Sequence, residues 1–273
     1  MIRFVAISSV ALLLSACQAP TTHTHAVSQA ELAAEQARQQ KMVDEVQASG
    51  GRPKNWKSKP GMRKQFERVA SRLEEPAAQL CRELGIHTQR DCYYHYSLST
   101  KDVINAYADG NKVGVTVGMM RFVKNDHELA AVIAHEIAHN MMGHVDAAKQ
   151  NTLAGGLFGY ALDAIAASQG INTGGGFSDT GFQAGRLSYS QGFESEADYV
   201  GLYIMARGKY DIKQAPNLWR RMAIADPEGI YNSVSHPTTA ERFIALQKTV
   251  SEIQYKKKHR IPLWPDFKQE VTN

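Results

Sequence analysis

Apolar and polar positions recur along this chain with two periods, and the switches between them outline the fold. Met62, Phe66, Val69 and Leu73 recur at helical spacing, and Leu80 and Leu84 carry the pattern past Pro76. The aromatic run CYYHYSLS at 92–99 reads as a strand. Residues 103–117, VINAYADGNKVGVTV, read as a hairpin, because two β-type runs flank the turn-forming Asp109, Gly110 and Asn111. A helix follows. Asn125 or Asp126 suits its N-cap, Glu128 stands where a capping-box acid belongs, and Leu129, Val132, Ile133, Ile137 and Met141 form its apolar stripe. The run at 153–167 is apolar but interrupted by Asp163 and too short to cross a bilayer. Residues 168–185 are rich in glycine and read as a loop. Helical patterns resume at about 190–207, 213–225 and 237–254, and no internal repeat is visible. The pattern predicts an α+β fold, mainly helical, with a small β-hairpin or sheet.

Before Met62 the pattern thins. Ser28 and Glu31 have capping-box spacing and open an Ala/Gln/Glu-rich helix whose apolar stripe is narrow. We expect that helix to lie on the surface or to form only in part. Residues 17–60 as a whole read as a tether, 61–255 as one domain and 256–273 as a C-terminal tail. The first 16 residues read as a secretory signal: Arg3, a short apolar run, then small residues. The signal ends in Leu14-Ser15-Ala16-Cys17, similar to a bacterial lipobox, in which the cysteine is lipidated. Gln18 after that cysteine points to the outer membrane, facing the periplasm. An ordinary signal peptide followed by an incidental cysteine is the alternative. Cys81 and Cys92 remain, and in an oxidising compartment an isolated pair suggests a disulfide.

Composition excludes little else. A net charge of +4 over 273 residues is mild, and no basic stripe is interleaved with aromatics, so nucleic-acid binding is not expected.

The chemistry concentrates in AAVIAHEIAHNMMGHV at 130–145. Residues four apart on a helix differ by about 40° in azimuth, so His135 and His139 project from one side and can share a metal ion. Glu136 can then face the remaining coordination position and take a proton from the attacking water. A catalytic zinc needs a third protein ligand. In HExxHxxGxxH arrangements a later histidine supplies it, but Gly143 and His144 each fall one position out of place; His144 is read as structural or as a helix end. A later helix offers Glu194 instead, with Asp198 on the same face to orient His135 or His139 through a ring nitrogen. Glu196 points about 160° away and is expected to be solvated. Taken alone, Glu194 and Asp198 read better as acids on an ordinary solvated helical face than as parts of a metal site.

Taken together, the run Asn-Ala-Tyr-Ala at 105–108, the hairpin, HEIAH at 135–139, ESEAD at 194–198 and SHPTTAER at 235–242 resemble the CAAX-prenyl-protease and HtpX-type zinc metallopeptidases, in particular their soluble periplasmic lipoprotein branch. The resemblance spans roughly residues 62–250. It implies a gluzincin-type domain, one zinc ion, Glu194 as third ligand, Asp198 behind the ligands, and His236 near the scissile carbonyl as an oxyanion stabiliser. A histidine capping the helix after Pro237 is the other reading of His236. Arg242 would pair with an acid behind the site or form a structural salt bridge. The implied function is an endopeptidase acting on unfolded envelope polypeptides. A substrate would lie extended beside Val103, Ile104, Asn105 and Ala106 by β-addition, and residues 168–185 would either gate the cleft or form a plain surface loop. A zinc-containing but non-enzymatic assembly or chaperone-like lipoprotein is the rival.

Overall fold

The computed structural model describes residues 20–48, 59–86, 91–187, 190–225 and 240–267. It falls into two compact units, one of Thr21–Met142 with Glu194–Asn273 and the other of Gly143–Phe193 with the chain up to Pro20. The helices are α1 (Gln29–Ala48), α2 (Lys59–Glu83), α3 (Val117–Phe122), α4 (Asp126–Met141), α5 (His144–Ser168), α6 (Gly176–Leu187), α7 (Ser190–Arg207), α8 (Gln214–Ala225) and α9 (Ala240–Lys258). The strands are β1 (His95–Ser99), β2 (Ala106–Ala108) and β3 (Lys112–Thr116).

In the larger unit α4 is the central element, buried without a break from Glu128 to Met141. Asn125 caps it by accepting from the Glu128 amide, and the Glu128 carboxylate accepts from the Lys124 amide. Arg221 on α8 then holds both Glu128 oxygens, at 2.7 and 2.9 Å. Helices α2 and α8 and strands β2 and β3 all pack on α4. Helix α2 runs through Pro76, and the Met62, Phe66, Val69, Leu73 stripe is its buried face. Cys81, near its end, is disulfide-bonded to Cys92 just before β1.

The sheet has the order β1-β3-β2. The expected hairpin is present: β2 and β3 are antiparallel, with Ala106 opposite Val115. β1 lies parallel on the other edge of β3. The strand at the hairpin's start is shorter than the sequence suggests. Of Val103, Ile104, Asn105 and Ala106, only Ala106 is in β2, and Val103 and Ile104 form a bend. The Thr116 hydroxyl explains the bend, since it engages the carbonyls of both Val103 and Asn105. Gly118 allows the close approach: a β-carbon there would stand 2.3 Å from the Val103 carbonyl oxygen.

The helix expected in the tether is α1, a 20-residue surface helix that packs on α8 and α9. Its apolar stripe is thin, and Glu35 is its buried anchor, paired through both oxygens with buried Arg220, a contact no apolar periodicity reveals. Two sequence expectations need correction. The glycine-rich stretch is not one loop, because α5 extends to Ser168 and α6 begins at Gly176. Glu196 is not solvated. It is buried, and its carboxylate accepts from the amides of Thr21 (2.7 Å) and Thr22. Glu196 does point away from Glu194, but the far face of α7 is covered by the N-terminal segment at Thr21 and Thr22. The tail is likewise held in its described part: the His23 amide donates to the Asp266 carbonyl at 2.7 Å, and Lys256 donates to the Trp264 carbonyl at 2.8 Å.

Glu252 on α9 joins these pieces. Its carboxylate meets His25 (2.8 Å), the hydroxyls of Tyr199 (2.8 Å) and Tyr203, and Lys256 (3.1 Å). Burial would raise its pKa, yet the donors from His25, Tyr203, Tyr199 and Lys256 outweigh that and hold it at about 2. A depressed folded-state pKa stabilises above the unfolded value, near 4.5, and that gain is lost as pH falls toward 2. Glu252→Gln is therefore expected to lower stability by about 2 kcal/mol at neutral pH, the range for hydrogen bonds to a charged group. The gap from wild type should shrink through pH 4 and close near pH 2, as read from urea midpoints across pH.

Candidate metal centre

His135 and His139 sit one turn apart on α4 and direct their Nε2 atoms to one point, 3.1 Å from each other. Glu194 on α7 meets that point from the opposite side. One of its oxygens is 3.2 Å from His135 Nε2, and the other is 3.2 Å from His139 Nε2. All three residues are buried. The close approach of the two helices depends on Gly201, where a β-carbon would stand 3.2 Å from the His135 backbone.

Behind the ligands is a second layer of charge. His135 Nδ1 lies 3.0 Å from Asp198 Oδ1, which settles the choice left open between the two histidines. Arg242 on α9 grips Asp198 with Nε (2.8 Å) and Nη2 (3.0 Å) and reaches Glu194 with Nη1 (2.9 Å). Arg242 is 2% exposed. Burial opposes its charge, but Asp198, Glu194 and, more weakly, Glu136 more than compensate. Burial also opposes ionisation of Asp198, and the Arg242 charge with the His135 contact overrides it, keeping the carboxyl below its ordinary range. His135 is pushed up to about 10: desolvation acts against the cation, but hydrogen bonds to Asp198 and Glu194 win.

The donor set fits a tetrahedral zinc ion. Bonds of about 2.0–2.1 Å separate tetrahedral ligand atoms by roughly 3.3 Å, and the observed separations are 3.1 and 3.2 Å. Among the described residues, His135, His139 and Glu194 are the three-donor cluster able to hold a metal.

Two residues here were missed by the sequence reading. Trp219 on α8 places its ring 5.0 Å from that of His135 and 5.4 Å from the Arg242 guanidinium, walling the layer behind the ligands. Asn140, next to His139, donates to the Lys112 carbonyl (2.8 Å) and accepts from the Gly110 amide (2.7 Å), tying the hairpin turn to the ligand helix. Neither lies in a pattern that spacing alone reveals. His144 opens α5, buried and stacked on Phe193 at 4.6 Å, after Gly143 breaks the helix at a φ of 76°, and it is not among the three converging donors. His236 and Cys17 lie outside the described residues.

A helix-borne pair of histidines closed by a carboxylate from a later helix defines a gluzincin-type metallopeptidase domain. The chain belongs to peptidase family M48, whose profile matches residues 64–250. It is similar to the "Beta-barrel assembly-enhancing protease" of Yersinia pestis, 34% identical over 137 residues, which covers 48% of this chain and 28% of the relative. It also resembles the "Mitochondrial metalloendopeptidase OMA1" of Schizosaccharomyces pombe, 30% identical over 154 residues, 54% of this chain and 44% of the relative. The Escherichia coli assembly-enhancing protease is 29% identical over 136 residues, 47% of this chain and 28% of the relative. The matches thus span less than half the length of these curated relatives.

Proposed function

We propose that the chain is a zinc-dependent endopeptidase of the bacterial cell envelope that hydrolyses peptide bonds in unfolded or misfolded envelope proteins. The observation that carries this reading is the convergence of His135, His139 and Glu194 on one point, with Glu136 next in sequence to a ligand. When bound there, zinc supplies Lewis acidity toward a water molecule and the scissile carbonyl. His135, His139 and Glu194 hold it. Asp198 fixes the His135 ring through Nδ1, so that Nε2 stays directed at the metal, and Arg242 fixes Asp198. Glu136 takes the proton of the attacking water and returns it to the leaving amine. His236, placed by family resemblance, stabilises the oxyanion.

The substrate lies extended along the edge of β2 that no other strand pairs among the described residues, with Ala106 the part of the 103–106 run that keeps strand geometry there. Backbone pairing at a strand edge tolerates many sequences, as a protease of unfolded chains requires. Cys17 carries the lipid anchor and places the domain at the outer membrane, facing the periplasm. The rival, a non-enzymatic lipoprotein with a structural zinc, is disfavoured by the three-donor set, since structural zinc sites usually close with four protein ligands.

Metal removal tests the reading. Stripping with a chelator is expected to abolish cleavage of reduced, unfolded casein, and stoichiometric zinc should restore it, followed by mass spectrometry of the fragments. A zinc-loaded chain inert on every unfolded substrate would favour the rival.

A further inference from the structure

The hairpin of α5 and α6 has an unusual exterior. From residue 150 to 185 the charged residues are Asp163 and Asp179 alone. The Asp163 carboxylate is used inside the hairpin, where it accepts from the Thr173 hydroxyl and the amides of Phe177 and Ser178. Glycines form the contact between the two helices. A β-carbon on Gly159 would stand 2.0 Å from the Phe177 carbonyl oxygen, and one on Gly181 would stand 2.1 Å from that of Gly155. With glycines facing inward, the large apolar side chains face outward: Leu153, Leu157, Tyr160, Ile165, Ile171 and Phe177 are all exposed. Leu153 and Leu157 are 59% exposed and Tyr160 68%; at positions i, i+4 and i+7 they share one face of α5.

The start of the described chain bears on what covers this face. Pro20 packs on Gly192, where a β-carbon would stand 2.7 Å from the proline ring, and both belong to the same compact unit as the hairpin. Cys17 is three residues earlier, so chain length allows it at most about 10 Å from Pro20. If Cys17 is lipidated, as proposed above, the anchor enters the bilayer beside this unit rather than at the end of a long tether. No described helix is long and apolar enough to cross a membrane, which leaves lying on the surface.

We infer that the α5–α6 hairpin is a membrane-docking element that inserts its Leu153, Leu157 and Tyr160 face into the interfacial region of a lipid bilayer. From Leu153 to Tyr160 the face is uncharged, with exposed Lys149 one turn before it, so the attraction is chiefly apolar and changes little with anionic lipid or salt. The inference is separable from the anchor, since the face binds lipid whether or not Cys17 is acylated.

The test uses the mature chain from residue 17 with Cys17→Ser, floated with vesicles of phosphatidylcholine and phosphatidylethanolamine. A substantial vesicle-bound fraction is expected, equal at low and high salt. Leu157→Glu with Tyr160→Glu should reduce it by about tenfold or more, while Tyr255→Glu, at an exposed position on α9, should leave it unchanged. Both variants should keep the wild-type melting temperature and cleave soluble casein within about twofold of wild type. The milder Leu157→Ser, Tyr160→Ser pair gives the same reading if the charged pair misfolds. No partition, or partition that the hairpin variants do not alter, overturns the inference. So does a variant that leaves partition intact but turns a dimer into a monomer or abolishes casein binding, because the face then serves a second copy or a polypeptide. Intact mass of the wild-type chain from membranes tests acylation separately.

Discussion

Glu136→Gln is expected to remove cleavage of unfolded casein by about 10²- to 10⁴-fold, the usual contribution of a positioned general base. Zinc content, measured by elemental analysis, should stay at one ion per chain, because Glu136 is not among the converging donors. Stability should change little or improve slightly: Glu136 is buried at 1% exposure, and an amide costs less to desolvate than a carboxylate. The combination is diagnostic. His135→Ala or Glu194→Ala would lose metal and activity together. Glu136→Gln separates holding the ion from moving the proton. Undiminished cleavage with zinc in place would take Glu136 out of the reaction.

Arg242→Met has the largest expected effect on stability. The guanidinium is the positive partner of two buried carboxylates, Asp198 and Glu194, at 2.8 to 3.0 Å. Its removal leaves both charges in a dry setting with the His135 imidazole as compensation. Breaking a buried network in this way costs about 3–5 kcal/mol. The loss should be fullest in chelator, measured by urea unfolding, and smaller with zinc, because a bound cation restores positive charge and stabilises the folded state by mass action. Adding Asp198→Asn should recover part of it. A loss below about 0.5 kcal/mol in chelator would mean that the cluster is solvated in solution and that Arg242 is an ordinary surface pair.

The helices were legible wherever burial is apolar and one-sided. The stripe from Met62 to Leu73 became the inner face of α2, and the Asn125/Asp126 pair with Glu128 marked the start of α4, where the structure makes Asn125 the cap. Burial that follows another logic was not legible. α1 lies on the surface, as its thin apolar stripe predicts, but that stripe does not show the ion pair of Glu35 with Arg220 that docks it. The glycines of 168–185 suggested a loop because glycine is costly in a helix, but close helix-to-helix contact repays that cost at Gly159 and Gly181. Glu196 lies on the face opposite Glu194, as helix geometry requires, but that Thr21 and Thr22 cover that face is written in no local pattern.

The spacing of two histidines, one turn apart with a glutamate between, determined half of the metal centre by itself, because helix geometry is local and fixes their common direction. The order of motifs then nominated Glu194, Asp198 and Arg242. Only the tertiary structure decided that Glu194 meets both imidazoles, that Asp198 takes His135 rather than His139, and that Arg242 bridges both acids. Those contacts join residues tens of positions apart, and such joins depend on how helices pack, down to the missing side chain at Gly201, which no periodicity along the chain encodes.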